Sequence, residues 1–126
     1  MTQARPVILN VDDQDPERYI KTRDLKQNGF EVIEAKTGAE ALRLIEHFRP
    51  PVVLLDVQLP DISGFEVCAF IKQKWPDVMV LQTSATFTTS QHRVQGLEGG
   101  ADAYLVQPAE PVELGAAVNA LLRIHR

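Results

Sequence analysis

The chain has 126 residues, a formal net charge of −4, 44% apolar side chains and 24% charged ones, which suits one globular domain over residues 1–126. Its thirteen Lys and Arg are dispersed within an acidic total, so there is no electrostatic case for direct contact with nucleic acid. No run approaches a membrane span, the first six residues lack the apolar centre of a signal peptide, and a single cysteine, Cys68, excludes an internal disulfide and fits the reducing cytoplasm.

Taken in order, Val7-Ile8-Leu9-Asn10-Val11 reads as a short buried strand that stops at two acids, Asp12 and Asp13. Asp15 is placed to cap a helix with Pro16 at its first position, and that helix is expected to run to about Asn28, with Gly29 as a left-handed stop. Its apolar face is thin, only Tyr19, Ile20 and Leu25. Phe30 to Ala35 follows as a strand. Thr37 and Glu40 form a capping box for a helix that turns Ala41, Leu42, Leu44, Ile45 and Phe48 inward, and Pro50-Pro51 ends it.

The central strand is Val52-Val53-Leu54-Leu55, apolar on both faces and ended by Asp56. Leu59-Pro60-Asp61 punctuates the loop, and Ser63 with Glu66 opens a helix from Gly64 to Trp75. In that helix Phe65, Val67, Phe70 and Ile71 are available for packing, with Cys68 a small apolar filler. Val78 to Leu81 is a further aliphatic strand, running into Thr83-Ser84. A polar helix spans Gln91 to Glu98. Ala103 to Val106 is the fifth strand, leading into Gln107-Pro108, and apolar residues recur at helical spacing from Pro111 to the end. Five strands alternating with five helices predict a doubly wound parallel sheet.

In such a sheet all strand carboxyl ends share one edge, where ligands bind. Asp12, Asp13, Asp56, Thr83, Ser84 and Gln107 each follow or close a strand, so one crevice gathers three carboxylates, hydroxyls and an amide. Carboxylates this close repel unless a cation joins them. An oxygen-only set with no Cys or His nearby suits Mg²⁺. A carboxylate beside that ion can attack phosphorus and form an aspartyl phosphate. Asp12 as a mere helix cap and Asp56 as a polar strand terminator are the simpler readings, but two adjacent acids exceed what a cap needs. Tyr104 is most simply a strand aromatic, and His47, His92 and His125 read as solvated helix residues.

Asp12-Asp13 after the first strand, Asp56 after the third, Ser84-Ala85 after the fourth, and Tyr104 within the fifth behind Gly99-Gly100-Ala101-Asp102 carry a resemblance. The chain resembles the receiver domain of two-component response regulators over essentially its whole length. The resemblance implies a flavodoxin-like (βα)5 fold with strand order 2-1-3-4-5 in three α/β/α layers. It implies that Asp56 accepts a phosphoryl group from a phosphohistidine on a histidine kinase or phosphotransfer domain. Mg²⁺ would be held by Asp13, Asp56 and the Gln58 backbone carbonyl, with Asp12 acting largely through metal-bound water. Ser84 would contact the phosphoryl group and Tyr104 would rotate. The face made by the fourth helix, fifth strand and fifth helix would pass the change to a partner, a second copy of the chain included. The resemblance implies a signalling module with no enzymatic activity beyond its own phosphorylation and dephosphorylation.

One position departs from the family pattern. Receivers place a lysine before the proline that follows the fifth strand, and in this chain it is Gln107. Glutamine keeps a donor and loses the charge, and charge-assisted hydrogen bonds are roughly twice as strong. No lysine lies beyond Lys74, and Arg93 is expected on an exposed helix face. Altered switching is therefore expected, with Gln107→Lys strengthening the response. The Gln-Pro pair, with Ser84-Ala85-Thr86-Phe87 and Gly96 to Gly100, also resembles receivers fused ahead of sensor histidine kinases, so the 126 residues fit one module of a longer signalling protein. The alternative is a receiver-like module that dimerises or docks without phosphate. A flavin or nucleotide site is disfavoured because Asp12, Asp13 and Asp15 in the first loop repel phosphate.

Overall fold

The computed structural model describes residues 5–84 and 90–125. Strand β1 (Val7–Val11), helix α1 (Asp15–Gln27), β2 (Glu31–Ala35), α2 (Gly38–Phe48), β3 (Val52–Asp56), α3 (Gly64–Lys74), β4 (Met79–Ser84), α4 (Ser90–Glu98), β5 (Ala103–Val106) and α5 (Pro111–His125) alternate along the chain. All neighbouring strands pair in parallel, in the order β2-β1-β3-β4-β5, the flavodoxin-like arrangement expected. Its middle strands β1, β3 and β4 are buried on both faces, which is why they read as unbroken aliphatic runs.

Two apolar cores sandwich the sheet. On one face Leu9, Val11, Val53, Leu55 and Val80 meet Ala41 and Ile45 of α2 and Val67, Cys68 and Ile71 of α3. On the other, Ile8, Val52, Leu54 and Leu81 meet Leu25 of α1 and Leu114, Val118 and Leu121 of α5. Cys68 sits in the first core, and burial, then Asp102, pushes its thiol up to about 11, in keeping with an inert filler.

Helix starts follow the sequence signals with small corrections. Thr37 Oγ1 accepts from the Glu40 N–H at 3.1 Å, and Glu40 Oε1 reaches back to the Lys36 N–H at 2.7 Å, one residue beyond the expected partner. Ser63 caps α3 by accepting from the Phe65 N–H. Asp15 does not cap α1. It lies inside the first turn behind Gln14 and pairs with Arg18 at 2.6 Å. Gly29 follows with φ +94°, the left-handed stop expected. Strand β2 begins one residue late, because Phe30 tucks into the core instead of pairing. Strand β4 runs past Leu81 through Gln82, Thr83 and Ser84, held by pairing with both β3 and β5.

Several apolar side chains expected inside face outward: Phe48 of α2, Phe70 of α3 and Val112 of α5 are exposed. The larger correction is the rotation of α1. Tyr19 is 67% exposed and Ile20 46%, while the buried face carries Arg18, Lys21, Asp24 and Leu25. Among the described residues no helix is long and apolar enough to cross a membrane.

Candidate functional site

Alternation along the strands decides which side chains meet at the sheet's carboxyl edge. Leu54 and Leu81 face α1 and α5, so Asp56 and Thr83, two residues on and opposite each other in register, face the same way. Asp12 and Asp13 follow β1, with the Asp12 N–H bonded to the Ala35 carbonyl at 3.0 Å. Oxygen atoms of Asp12, Asp13 and Asp56 come within 4.8 Å of one another, as acids at the ends of two adjacent parallel strands should. They line a cleft of about 1060 Å³, shared with Lys21, Gln58, Ser63, Ser84, Gln107 and Pro108.

Asp12 is 1% exposed, and its Oδ1 accepts the Gln14 N–H at 2.9 Å. Asp13 is half-buried and accepts from the Gln14 side chain. Asp56 is half-buried, with a long bond of 3.4 Å from the Gln58 N–H. Burial pushes its carboxyl up to about 6, Asp12 and Asp13 adding repulsion and the Lys21 ammonium and Gln58 N–H pulling the other way. The backbone around it is tight: the Val57 carbonyl accepts from the Gly64 N–H at 2.7 Å, and a Cβ on Gly64 would fall on the Asp56 carbonyl oxygen. Glycine is required there by close approach.

Of the other expected residues, Ser84 ends β4 and lines the cleft, buried. Gln107 follows β5, its N–H bonded to the Ser84 carbonyl at 2.9 Å and its peptide to Pro108 cis. Its side-chain amide nitrogen is buried without a hydrogen-bond partner among the described residues. Tyr104 is half-buried in β5, its ring against Gly96 of α4. Ala85, Thr86 and Phe87 lie outside the described residues. His47 is exposed, and Arg93 lies at the surface of α4.

Lys21 is the residue that sequence reasoning missed. From the second turn of α1 its ammonium reaches Asp12 Oδ2 at 2.8 Å and the Thr83 hydroxyl at 3.4 Å, with side-chain exposure of only 5%. A lysine does enter the cleft, from upstream in the first helix and not from beyond Lys74. The available signal was the spacing of Arg18, Lys21 and Leu25, one helical stripe if a lysine is admitted to the buried face.

The donor set suits a hard cation: three carboxylates against one ammonium leave a formal charge of two negatives, with no nitrogen or sulfur ligand beside them among the described residues. Such a group of carboxylates could hold a divalent cation such as Mg²⁺.

The family model of the response regulator receiver domain matches residues 8–119. The chain is 43% identical over 116 residues to Response regulator MprA of Mycobacterium sp. (strain KMS), covering 92% of this chain and 50% of that protein. It is 38% identical over 119 residues to the alkaline phosphatase synthesis transcriptional regulatory protein PhoP of Bacillus subtilis (strain 168), covering 92% and 48%. The crystal structure of a CheY-like response regulator receiver domain protein from Methanospirillum hungatei JF-1 superposes with a TM-score of 0.89 at 28% identity, over 97% of each chain. The chain belongs to the response regulator receiver family of two-component signalling, and the relatives it matches are regulators and not metabolic enzymes. It spans about half the length of those curated relatives.

Proposed function

We propose that this receiver is a phosphoacceptor: Asp56 takes a phosphoryl group from a phosphohistidine of a histidine kinase or phosphotransfer domain. The observation that carries the reading is the half-buried Asp56 at the end of a fully buried strand, in an open cleft with Asp12 and Asp13. An Asp56 carboxylate oxygen attacks phosphorus, the bond from phosphorus to the imidazole nitrogen breaks, and the freed imidazole recovers a proton from solvent. Water later cleaves the acyl phosphate to regenerate Asp56 and inorganic phosphate. Mg²⁺, held by Asp13, Asp56 and the Gln58 carbonyl, with Asp12 acting through its water, would neutralise charge that develops on the phosphoryl oxygens.

Ser84 lies at the cleft to make contact with a phosphoryl oxygen, and Tyr104 sits one strand away as the aromatic that responds. The readout face is α4–β5–α5, where Val94 and Leu97 of α4 and Val112 of α5 are exposed, for a partner or a second copy of the chain. Gln107 offers the site an amide donor in place of the usual charge, which makes it the position where switching differs from other receivers. Contact with nucleic acid is not part of this reading. The module is fitted for fusion to a histidine kinase or an output domain in a longer, cytoplasmic signalling protein.

Intact mass after incubation with Mg²⁺ and acetyl phosphate tests it. A single phosphoryl adduct on wild type and none on Asp56→Asn is expected. No adduct, even from a phosphohistidine donor, would favour a module that docks independently of phosphate.

A further inference from the structure

We infer that Lys21, from helix α1, supplies the phosphoryl-facing positive charge that Gln107 does not. The inference rests on the phosphoacceptor reading and deepens it. The ammonium is buried in the cleft, 2.8 Å from Asp12 Oδ2 and 3.4 Å from the hydroxyl of Thr83, and Thr83 is the cross-strand neighbour of Asp56. It therefore stands beside Asp56 on the same side of the sheet. An ammonium has three donors; Asp12 takes one and Thr83 holds a second weakly, which leaves one for an incoming oxygen.

Lys21 does more than face Asp12: its second contact, with the Thr83 hydroxyl, turns the ammonium towards the strand pair that carries Asp56. Of the charges acting on the Asp56 carboxyl, that of Lys21 is the largest. Gln107 lines the same cleft with a buried amide nitrogen that has no partner among the described residues, so the two positions divide what one lysine does elsewhere: Gln107 a neutral donor, Lys21 the charge. Burial costs Lys21 its hydration, a cost that a phosphoryl group carrying close to two negative charges would offset.

A double-mutant cycle on the whole chain tests the assignment, using beryllofluoride with Mg²⁺ as the phosphoryl mimic, titrated by calorimetry, alongside the lifetime of the acetyl-phosphate adduct. Loss of one charge-assisted bond predicts about tenfold weaker beryllofluoride binding by Lys21→Met. Gln107→Lys restores about tenfold in the Lys21→Met background and gains clearly less than that in wild type, where the charge is already present. A purely structural Lys21 would not be rescued from Gln107.

Folded Lys21→Met that binds beryllofluoride as tightly as wild type overturns the proposal. Should Lys21→Met not fold, the single variant still decides: a gain of about tenfold or more from Gln107→Lys in wild type would mean that the charge was missing, and the proposal fails. If wild type forms no adduct, the phosphoacceptor reading falls and this inference with it. An adduct on wild type with no effect of Lys21 removes this inference alone.

Discussion

Helices α1 and α2 flank the same sheet from opposite sides and bury opposite kinds of surface. Helix α2 turns Ala41 and Ile45 onto the sheet and keeps its charges in water. Helix α1 buries Leu25 near its end, but its first two turns press Arg18 and Lys21 against the strand termini. Arg18 donates to the Asp12 carbonyl at 3.0 Å and pairs with Asp15 and Glu34, while Asn10, a polar residue in the middle of β1, donates to the Arg18 carbonyl and the Thr22 hydroxyl. Burying charge costs stability unless each group is paired, so α1 gives up hydrophobic stabilisation that α2 keeps. What α1 gains is a fixed array of donors around Asp12. One helix holds the sheet; the other equips the site.

The contrast is broken most strongly at Ile45. Ile45→Ala leaves a cavity under α2 and should cost about 2–5 kcal/mol in urea unfolding, while the folded fraction still takes a phosphoryl adduct. At Arg18, Arg18→Ala strands the Asp12 carbonyl and removes the guanidinium that pairs with Asp15 and Glu34. A loss of about 2 kcal/mol is expected by the same measurement, now with slower adduct formation, because the donors around Asp12 lose their anchor.

Asp56→Asn should instead stabilise the metal-free protein, on the order of 1 kcal/mol at pH 7.5 after discounting for solvent screening of a half-exposed group. The sign follows from proton counting. Burial raises the Asp56 carboxyl from 3.8 to about 6, so between those values the folded state binds more protons than the unfolded. Stability from this group therefore falls as pH rises through that window, and stays reduced above it. Asparagine carries no such cost. Melting in EDTA from pH 3.5 to 8 should show the advantage of Asp56→Asn appear across the window; an advantage independent of pH would contradict an origin in the buried carboxyl. The smallest effect is at the cap of α2, where Thr37→Ala should cost about 1 kcal/mol and leave the adduct untouched.

Much of this architecture is legible in the sequence because local signals and the fold agree. Helix α2 has a capping box, an apolar stripe and a terminating Pro50, and its bounds can be read nearly to the residue. The acids are legible because each closes an aliphatic strand, and parallel topology does the rest. Helix α1 resists. Its buried face is chosen by partners in distant strands, Thr83 lying 62 residues from Lys21, and hydrophobic patterning discards a lysine before asking whether a carboxylate awaits it. The same bias puts Tyr19 and Ile20 inside when they are out. Strand β4 looks shorter than it is for a related reason: Gln82 and Thr83 resemble loop by composition but are held by pairing on both sides.

The loop after Asp56 ends in Asp61, whose two carboxylate oxygens accept the Gly38 and Ala39 N–H groups at 2.8 and 2.9 Å. Burial works against that carboxylate, but the N–H groups outweigh it and hold it below the ordinary range, so the link stays charged at neutral pH. A carboxylate gripping the positive end of α2 staples the rim of the cleft to a helix anchored in the core by Ala41 and Ile45. That side of the cleft is a fixed jetty. A molecule that comes alongside Asp56 meets a mooring tied to α2, and under the phosphoacceptor proposal news of the loading would leave from the opposite bank.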